Sequence, residues 1–130
     1  MDKNKNKTNF ADLKGVLLHS GYEVVLTKKI SPRGHHPSHK FREAKGFIVP
    51  DQLKIYINRS ISVNDRVITL IHELFHELYP TWQESTVERN CKQAFRELTV
   101  SQLGFLQFFV MTRPEMAAAI KRPHTTSPIC

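Results

Sequence analysis

The sequence has little of what secreted and membrane-spanning proteins carry. It contains only two cysteines, Cys91 and Cys130, so we expect a reducing, cytoplasmic setting and a Cys91 that is packed rather than bonded. Its first residues, Met1-Asp2-Lys3-Asn4, are followed by further polar residues, which argues against a signal peptide. The most apolar run, Leu103 to Met111, is too short to cross a bilayer, and we expect no membrane partner.

Acidic residues are also scarce, with 12 Asp and Glu against 19 Lys and Arg, which gives a formal net charge of +7. A basic chain suggests an acidic partner such as nucleic acid, although no nucleic-acid-binding motif accompanies the charge. The alternative is that charged ends are simply solvated, which would make residues 1–8 and 123–130 flexible tails. The length predicts a single domain over residues 1–130.

The stretch His72-Glu73-Leu74-Phe75-His76 says most about chemistry, because it reads H-E-x-x-H. Two histidines four apart on a helix are separated by about 40° around the axis and about 6 Å along it. Both imidazoles can therefore reach one zinc ion, and Glu73 lies where a carboxylate can take a proton from metal-activated water. Chance alone would give the motif in roughly two of a hundred chains of this composition, so its context must support it.

The context is that of a buried helix. Ser62-Val63-Asn64-Asp65 resembles a capping box, no Gly or Pro follows before Tyr79, and Pro80 ends the run. Apolar residues lie almost all the way round this segment. Polar groups within a buried helix need partners, and a metal would satisfy the two histidines and Glu73. The alternative is that the polar residues form one solvated stripe.

A third ligand is expected on the next helix, which we predict to begin at Thr81 and to run from Trp82 to about Leu98. The mean direction of its apolar face lies about 36° from Glu84 and about 76° from Glu88. Glu84 is therefore the favoured ligand and Glu88 the second choice. The alternatives are a Thr81–Glu84 capping box and, for Glu88, a solvated position. A carboxylate ligand would leave a fourth position open for water.

These residues together resemble the gluzincin metallopeptidases. The segment Ile68 to Pro80, followed by Glu84 and Glu88, is most similar to the small cytosolic and phage-encoded domains of the ImmA/IrrE group, and the resemblance covers about residues 45–98. It implies an α+β fold of minimal zincin type, in which a short mixed sheet of about three strands packs on the H-E-x-x-H helix and the C-terminal part is helical. It also implies that Lys54–Asn58 or a neighbouring strand is the sheet edge that holds a peptide by β-augmentation.

Local patterns predict the elements around the motif. Strands are expected where β-branched or alternating residues lie between turn residues, and helices where apolar residues recur at helical spacing. The predicted helices are Phe10–Ser20, a run opened by Thr99-Val100-Ser101-Gln102 that ends near Met111, and Glu115–Lys121; the predicted strands are Tyr22–Ile30, Gly46–Pro50 and Leu53–Asn58. We expect the last two helices to pack on the core or to form a dimer contact through a Phe-rich surface.

Two further features have more than one interpretation. His35, His36 and His39 lie in the loop Ser31–Lys40, where they could bind metal, contribute one imidazole to the cleft, or simply be exposed. Tyr79 lies about one turn beyond His76 and could donate a hydrogen bond to an oxyanion.

The sequence thus predicts a zinc-dependent peptidase that acts on a protein or peptide. One Zn²⁺ per chain would be held by His72, His76 and Glu84, and Glu73 would be the general base. Two other classes compete with this hypothesis: a catalytically silent regulatory or interaction module that keeps its zinc structurally, and a basic protein that acts with a nucleic-acid-bound partner. An intact Glu73 favours the enzyme, because a structural zinc site has no use for a general base.

Overall fold

The computed structural model describes residues 5–28 and 45–121. Within these ranges the chain is an α+β arrangement of five α-helices and one mixed three-stranded sheet, which confirms the predicted fold class at that level. The elements are α1 (Lys5–His19), β1 (Glu23–Thr27), β2 (Gly46–Val49), β3 (Lys54–Asn58), α2 (Val63–Leu78), α3 (Glu84–Arg96), α4 (Val100–Val110) and α5 (Arg113–Lys121).

The predicted elements occur, but several of their ends differ. Helix α1 begins at Lys5, five residues before the predicted start at Phe10. Helix α3 begins at Glu84 rather than Trp82, and Gln83 is its N-cap instead of Thr81. A short 3₁₀ turn, Pro50–Gln52, joins β2 to β3, so Pro50 lies outside the strand that was predicted to include it. Residues 1–4 and 123–130 of the predicted tails and the loop with His35, His36 and His39 lie outside the described residues.

The sheet has the order β1-β3-β2, with β1 parallel and β2 antiparallel to β3. Strand β3, Lys54–Asn58, is therefore hydrogen-bonded on both sides, and its prediction as an edge strand is wrong. Alternation along a strand shows which residues share a face, but it does not reveal which strands flank it. Of the described strands, β1 and β2 form the edges. The alternative prediction, that a strand beside Lys54–Asn58 is the edge that holds a peptide, stays a prediction.

Helix α2 lies against this sheet and forms the centre of the core. Ile55 and Ile57 of β3 are fully buried in the same apolar cluster as the α2 side chains. Gly46 allows the close approach of β2, because a Cβ atom there would lie 2.6 Å from the Thr69 side chain. The predicted buried helix is confirmed for five α2 residues that expose no surface: Val67, Leu70, Ile71, Leu74 and Phe75. Truncating one of them to Ala would cost about 2–5 kcal/mol.

Helix α4 packs on this core through Leu106 and Val110, and α5 is joined to α2 by hydrogen bonds from Arg66 to Glu115. Thr99 and Gln102 form the predicted reciprocal capping box at the start of α4. The predicted use of its phenylalanines in a dimer contact remains untested, and one of them, Phe108, is 63% exposed. No helix within residues 5–28 and 45–121 combines the length and the apolarity that a membrane crossing requires.

Candidate metal centre

Helix α2 presents the H-E-x-x-H residues in the way that its sequence predicted. The Ser62 hydroxyl accepts a hydrogen bond from the Asp65 backbone N–H at 3.2 Å, so the predicted N-cap is confirmed. The last α2 hydrogen bond runs from the Tyr79 N–H to the Phe75 carbonyl. His72 and His76, one turn apart, are half-buried, whereas Glu73 is buried.

The two imidazoles point their Nε2 atoms at one another. These atoms lie 3.2 Å apart, and the ring centroids are separated by 4.8 Å with an interplanar angle of 63°. Because both Nε2 atoms face the same small space, the lone pair of each nitrogen can be directed at one common point.

The Glu84 carboxylate completes the group from the start of α3. Its Oε2 lies 2.9 Å from the His72 Nε2 and its Oε1 lies 3.0 Å from the His76 Nε2. The ligand atoms of all three residues lie within 4.8 Å of one another. In the part of the chain that is described, no other set of three His, Cys, Asp or Glu side chains is close enough to share an ion.

Packing between α2 and α3 brings Glu84 to the histidines. Val87 and Cys91 of α3 are buried, and the Cys91 thiol donates a hydrogen bond to the Ile68 carbonyl of α2 at 3.1 Å. Gln83, the N-cap of α3, makes no side-chain cap hydrogen bond. The alternative in which Glu84 closes a capping box with Thr81 is therefore wrong, since Glu84 is itself the first helical residue.

Glu88 lies outside this three-residue group and is exposed. It is nevertheless near enough for its negative charge to raise the pKa of His72. Of the two predicted third ligands, only Glu84 has carboxylate oxygens within hydrogen-bonding distance of both imidazoles, at 2.9 and 3.0 Å.

The protonation of His72 is set mainly by burial. Burial lowers its pKa, an effect that the neighbouring Glu84 carboxylate opposes and the His76 ring reinforces. A lowered pKa favours the neutral imidazole, which is the form that binds metals.

Glu73 has an unusual acidity for a carboxyl group. Burial, assisted by the negative charge of Glu84, raises the pKa of Glu73 to about 8. A carboxyl group with a pKa near neutrality can both accept and donate a proton, as a general base that later acts as an acid must do. A carboxyl group with a perturbed pKa beside a candidate metal centre is typical of functional sites.

The donor set fits a zinc ion. Ligands held at about 2.0–2.1 Å in a tetrahedral site are about 3.3 Å from one another, close to the observed 3.2 Å between the two Nε2 atoms. The carboxylate distances of 2.9 and 3.0 Å require shifts of only a few tenths of an ångström. Two imidazoles and one carboxylate are a ligand set that catalytic zinc sites use, with one position left for water. The Glu84 side chain is 61% exposed, so solvent reaches the group.

Tyr79, the proposed oxyanion donor, lies in the turn that joins α2 to α3. Its hydroxyl donates to the Asp12 carboxylate at 3.4 Å, and its ring stacks on Trp82 with a centroid distance of 4.1 Å. These contacts do not involve a substrate, so the role of Tyr79 as an oxyanion donor stays a prediction. Asp12 had no sequence signal, because a contact across 67 residues leaves no local pattern.

Comparison of the chain with protein-family models, with curated proteins and with solved structures yields no match.

Proposed function

We propose that the chain is a zinc-dependent peptidase of gluzincin type, with a minimal zincin fold similar to the ImmA/IrrE domains. The observation that carries the proposal is the convergence of His72, His76 and Glu84 on one point, beside a buried Glu73 with a raised pKa. A protein that used the metal only for structure would gain nothing from a buried acid at this place.

His72, His76 and Glu84 would hold one Zn²⁺ per chain through two Nε2 atoms and a carboxylate oxygen. A zinc ion with these ligands supplies Lewis acidity toward a water molecule and a peptide carbonyl. Neutral imidazoles serve this purpose best, and burial keeps His72 in that form.

Glu73 would move the proton. Its carboxylate accepts one proton as water adds its oxygen to the carbonyl carbon, and then donates that proton to the amine nitrogen as the C–N bond breaks. The water is thereby divided between the two products, and Glu73 returns to its starting state. Its burial excludes bulk solvent from the carboxyl group during both transfers.

The peptide would bind as an extended strand beside the sheet. Because β3 is paired on both sides, the described strand beside which the peptide would lie is β1 or β2. We propose a cytoplasmic location, which the free and buried Cys91 thiol supports.

The proposal is tested by Glu73→Gln, with Glu97→Gln as the matched control at the exposed C-cap of α3. Cleavage of a mixed peptide library, followed by mass spectrometry, should fall about 100- to 10,000-fold in Glu73→Gln, while zinc content stays at the wild-type level. Glu97→Gln should match the wild type in both measurements. Zinc binding without cleavage in the wild type would instead favour the catalytically silent module.

A further inference from the structure

The turn between α2 and α3 is built from stacked aromatic rings. Tyr79 and Trp82 lie nearly parallel, with centroids 4.1 Å apart and an interplanar angle of 14°. The buried Phe75 meets both rings edge-on, at 5.7 Å and 5.8 Å.

Hydrogen bonds fix the same segment at both ends. The Trp82 N–H donates to the Tyr79 carbonyl at 3.0 Å, and the Tyr79 N–H donates to the Phe75 carbonyl at 2.7 Å. The Tyr79 hydroxyl reaches Asp12 of α1. The path of the backbone from His76 to Glu84 is therefore held by rings and hydrogen bonds that do not include any of the three candidate ligands.

Glu84 depends on this path more than an ordinary helical residue does. It is the first residue of α3, two positions after Trp82, and the N-cap Gln83 has no side-chain hydrogen bond to fix where the helix begins. Its carboxylate must stay within a few tenths of an ångström of the position that binds metal, yet the side chain is mostly exposed.

We propose that the stack of Tyr79 on Trp82 positions the Glu84 carboxylate against the two imidazoles, so that Trp82 is a positioning residue of the metal centre. This inference rests on the proposed metal site. The competing explanation is that Val87 and Cys91 alone hold α3 in place, in which case Trp82 would contribute only to the stability of the fold.

The experiment measures zinc affinity by calorimetry in Trp82→Ala, Trp82→Leu and Trp82→Phe. Residues that support metal ligands from outside typically change metal affinity about 10- to 100-fold. We expect a loss in this range for Trp82→Ala and Trp82→Leu, and affinity within about threefold of the wild type for Trp82→Phe, which keeps a ring for the stack. The leucine variant keeps apolar volume and remains informative if the alanine variant does not fold.

Two controls separate positioning from stability. Phe105→Ala removes an aromatic ring with edge contacts to Phe10 and Phe109, and should lower thermal stability without a change in zinc affinity. A Glu84→Ala protein should lose its co-purified zinc but keep the weak affinity of the two imidazoles, which calorimetry can measure at high zinc concentration. In that background Trp82→Leu should change the weak affinity by less than about twofold, because the residue that Trp82 positions is gone.

The results distinguish failure of the inference from failure of the metal site. Unchanged zinc affinity in Trp82→Leu, or an equal loss with and without Glu84, would overturn the positioning role and leave the metal site intact. A folded wild-type protein that takes up no zinc would overturn both.

Discussion

Glu73 should destabilise the metal-free protein, and its replacement by Gln should stabilise it. Burial raises the pKa of Glu73 from 4.5 to about 8, so ionisation is penalised in the folded state but not in the unfolded chain. Below pH 4.5 both states carry the proton and no penalty exists. Between about pH 4.5 and 8 only the folded state keeps the proton on Glu73, so the free energy of unfolding falls as the pH rises.

The magnitude follows from the interval over which the proton is held. One pKa unit corresponds to about 1.4 kcal/mol, so the penalty at pH 7 is about 3 kcal/mol and at pH 5 is below about 1 kcal/mol. Glu73→Gln, which is neutral at every pH, should therefore be more stable than the wild type at pH 7 by about 2–3 kcal/mol. The difference should fall below about 1 kcal/mol at pH 5, because near its pKa of 4.5 the carboxyl group of the unfolded chain also binds part of the proton.

The assay is urea unfolding of chelator-treated protein between pH 5 and 8, with Glu97→Gln as the control. Glu97 lies on the surface, so its replacement should leave the pH dependence of the wild type unchanged. Saturation with zinc should reduce the gain in Glu73→Gln, because a nearby cation favours the ionised carboxylate. A Glu73→Gln protein that is less stable than the wild type at pH 8, or that follows the same pH slope, would refute the reasoning.

Three further predictions concern the framework of the site. Arg66 donates two hydrogen bonds to Glu115 and, with help from the local backbone, lowers the pKa of Glu115 to about 2; because Glu115 is partly exposed, Glu115→Gln should cost only about 1–2 kcal/mol at pH 7. The Glu115 contribution is present above about pH 4.5 and is lost as the pH falls toward 2. Burial, assisted by Glu88, raises the pKa of Cys91 to about 12, so in Cys130→Ser the remaining thiol should react with Ellman's reagent at pH 8 only after unfolding. Thr99→Ala removes the capping box of α4 and should cost about 1 kcal/mol in urea unfolding.

Each of these predictions has an outcome that contradicts it. Glu115→Gln could be less stable than the wild type by the same amount at pH 7 and at pH 2.5. That result would show that the ion pair between Arg66 and Glu115 does not cause the stability difference. Rapid modification of Cys91 in folded protein would show that the thiol is accessible. An unchanged free energy of unfolding in Thr99→Ala would mean that the hydrogen bonds of the cap are replaced.

Local patterns predicted the helices and the residues that converge at the site. The Ser62 cap and the helical period place His72 and His76 one turn apart, without information from the rest of the chain. The direction of Glu84 was also correct although the predicted start of α3 was not, because the angle between two helical positions depends only on their separation.

The sequence did not predict how elements that are distant along the chain associate. The central place of β3 depends on how three strands associate, and alternation is the same in a central and an edge strand. Arg66 was missed as the residue that ties α2 to α5, although an arginine within an apolar helix is a signal that a buried partner exists. Its partner, Glu115, lies 49 residues away and carries no local signature.

Metal content tests the central claim most directly. Elemental mass spectrometry on untagged wild-type protein and on His76→Ala, Glu84→Ala and Glu88→Ala would determine both the metal and its third ligand. We predict one zinc per chain in the wild type and in Glu88→Ala, and its loss in His76→Ala and Glu84→Ala. A folded wild-type protein without zinc, even after zinc is added back, would contradict the account, as would loss of zinc in Glu88→Ala with retention in Glu84→Ala.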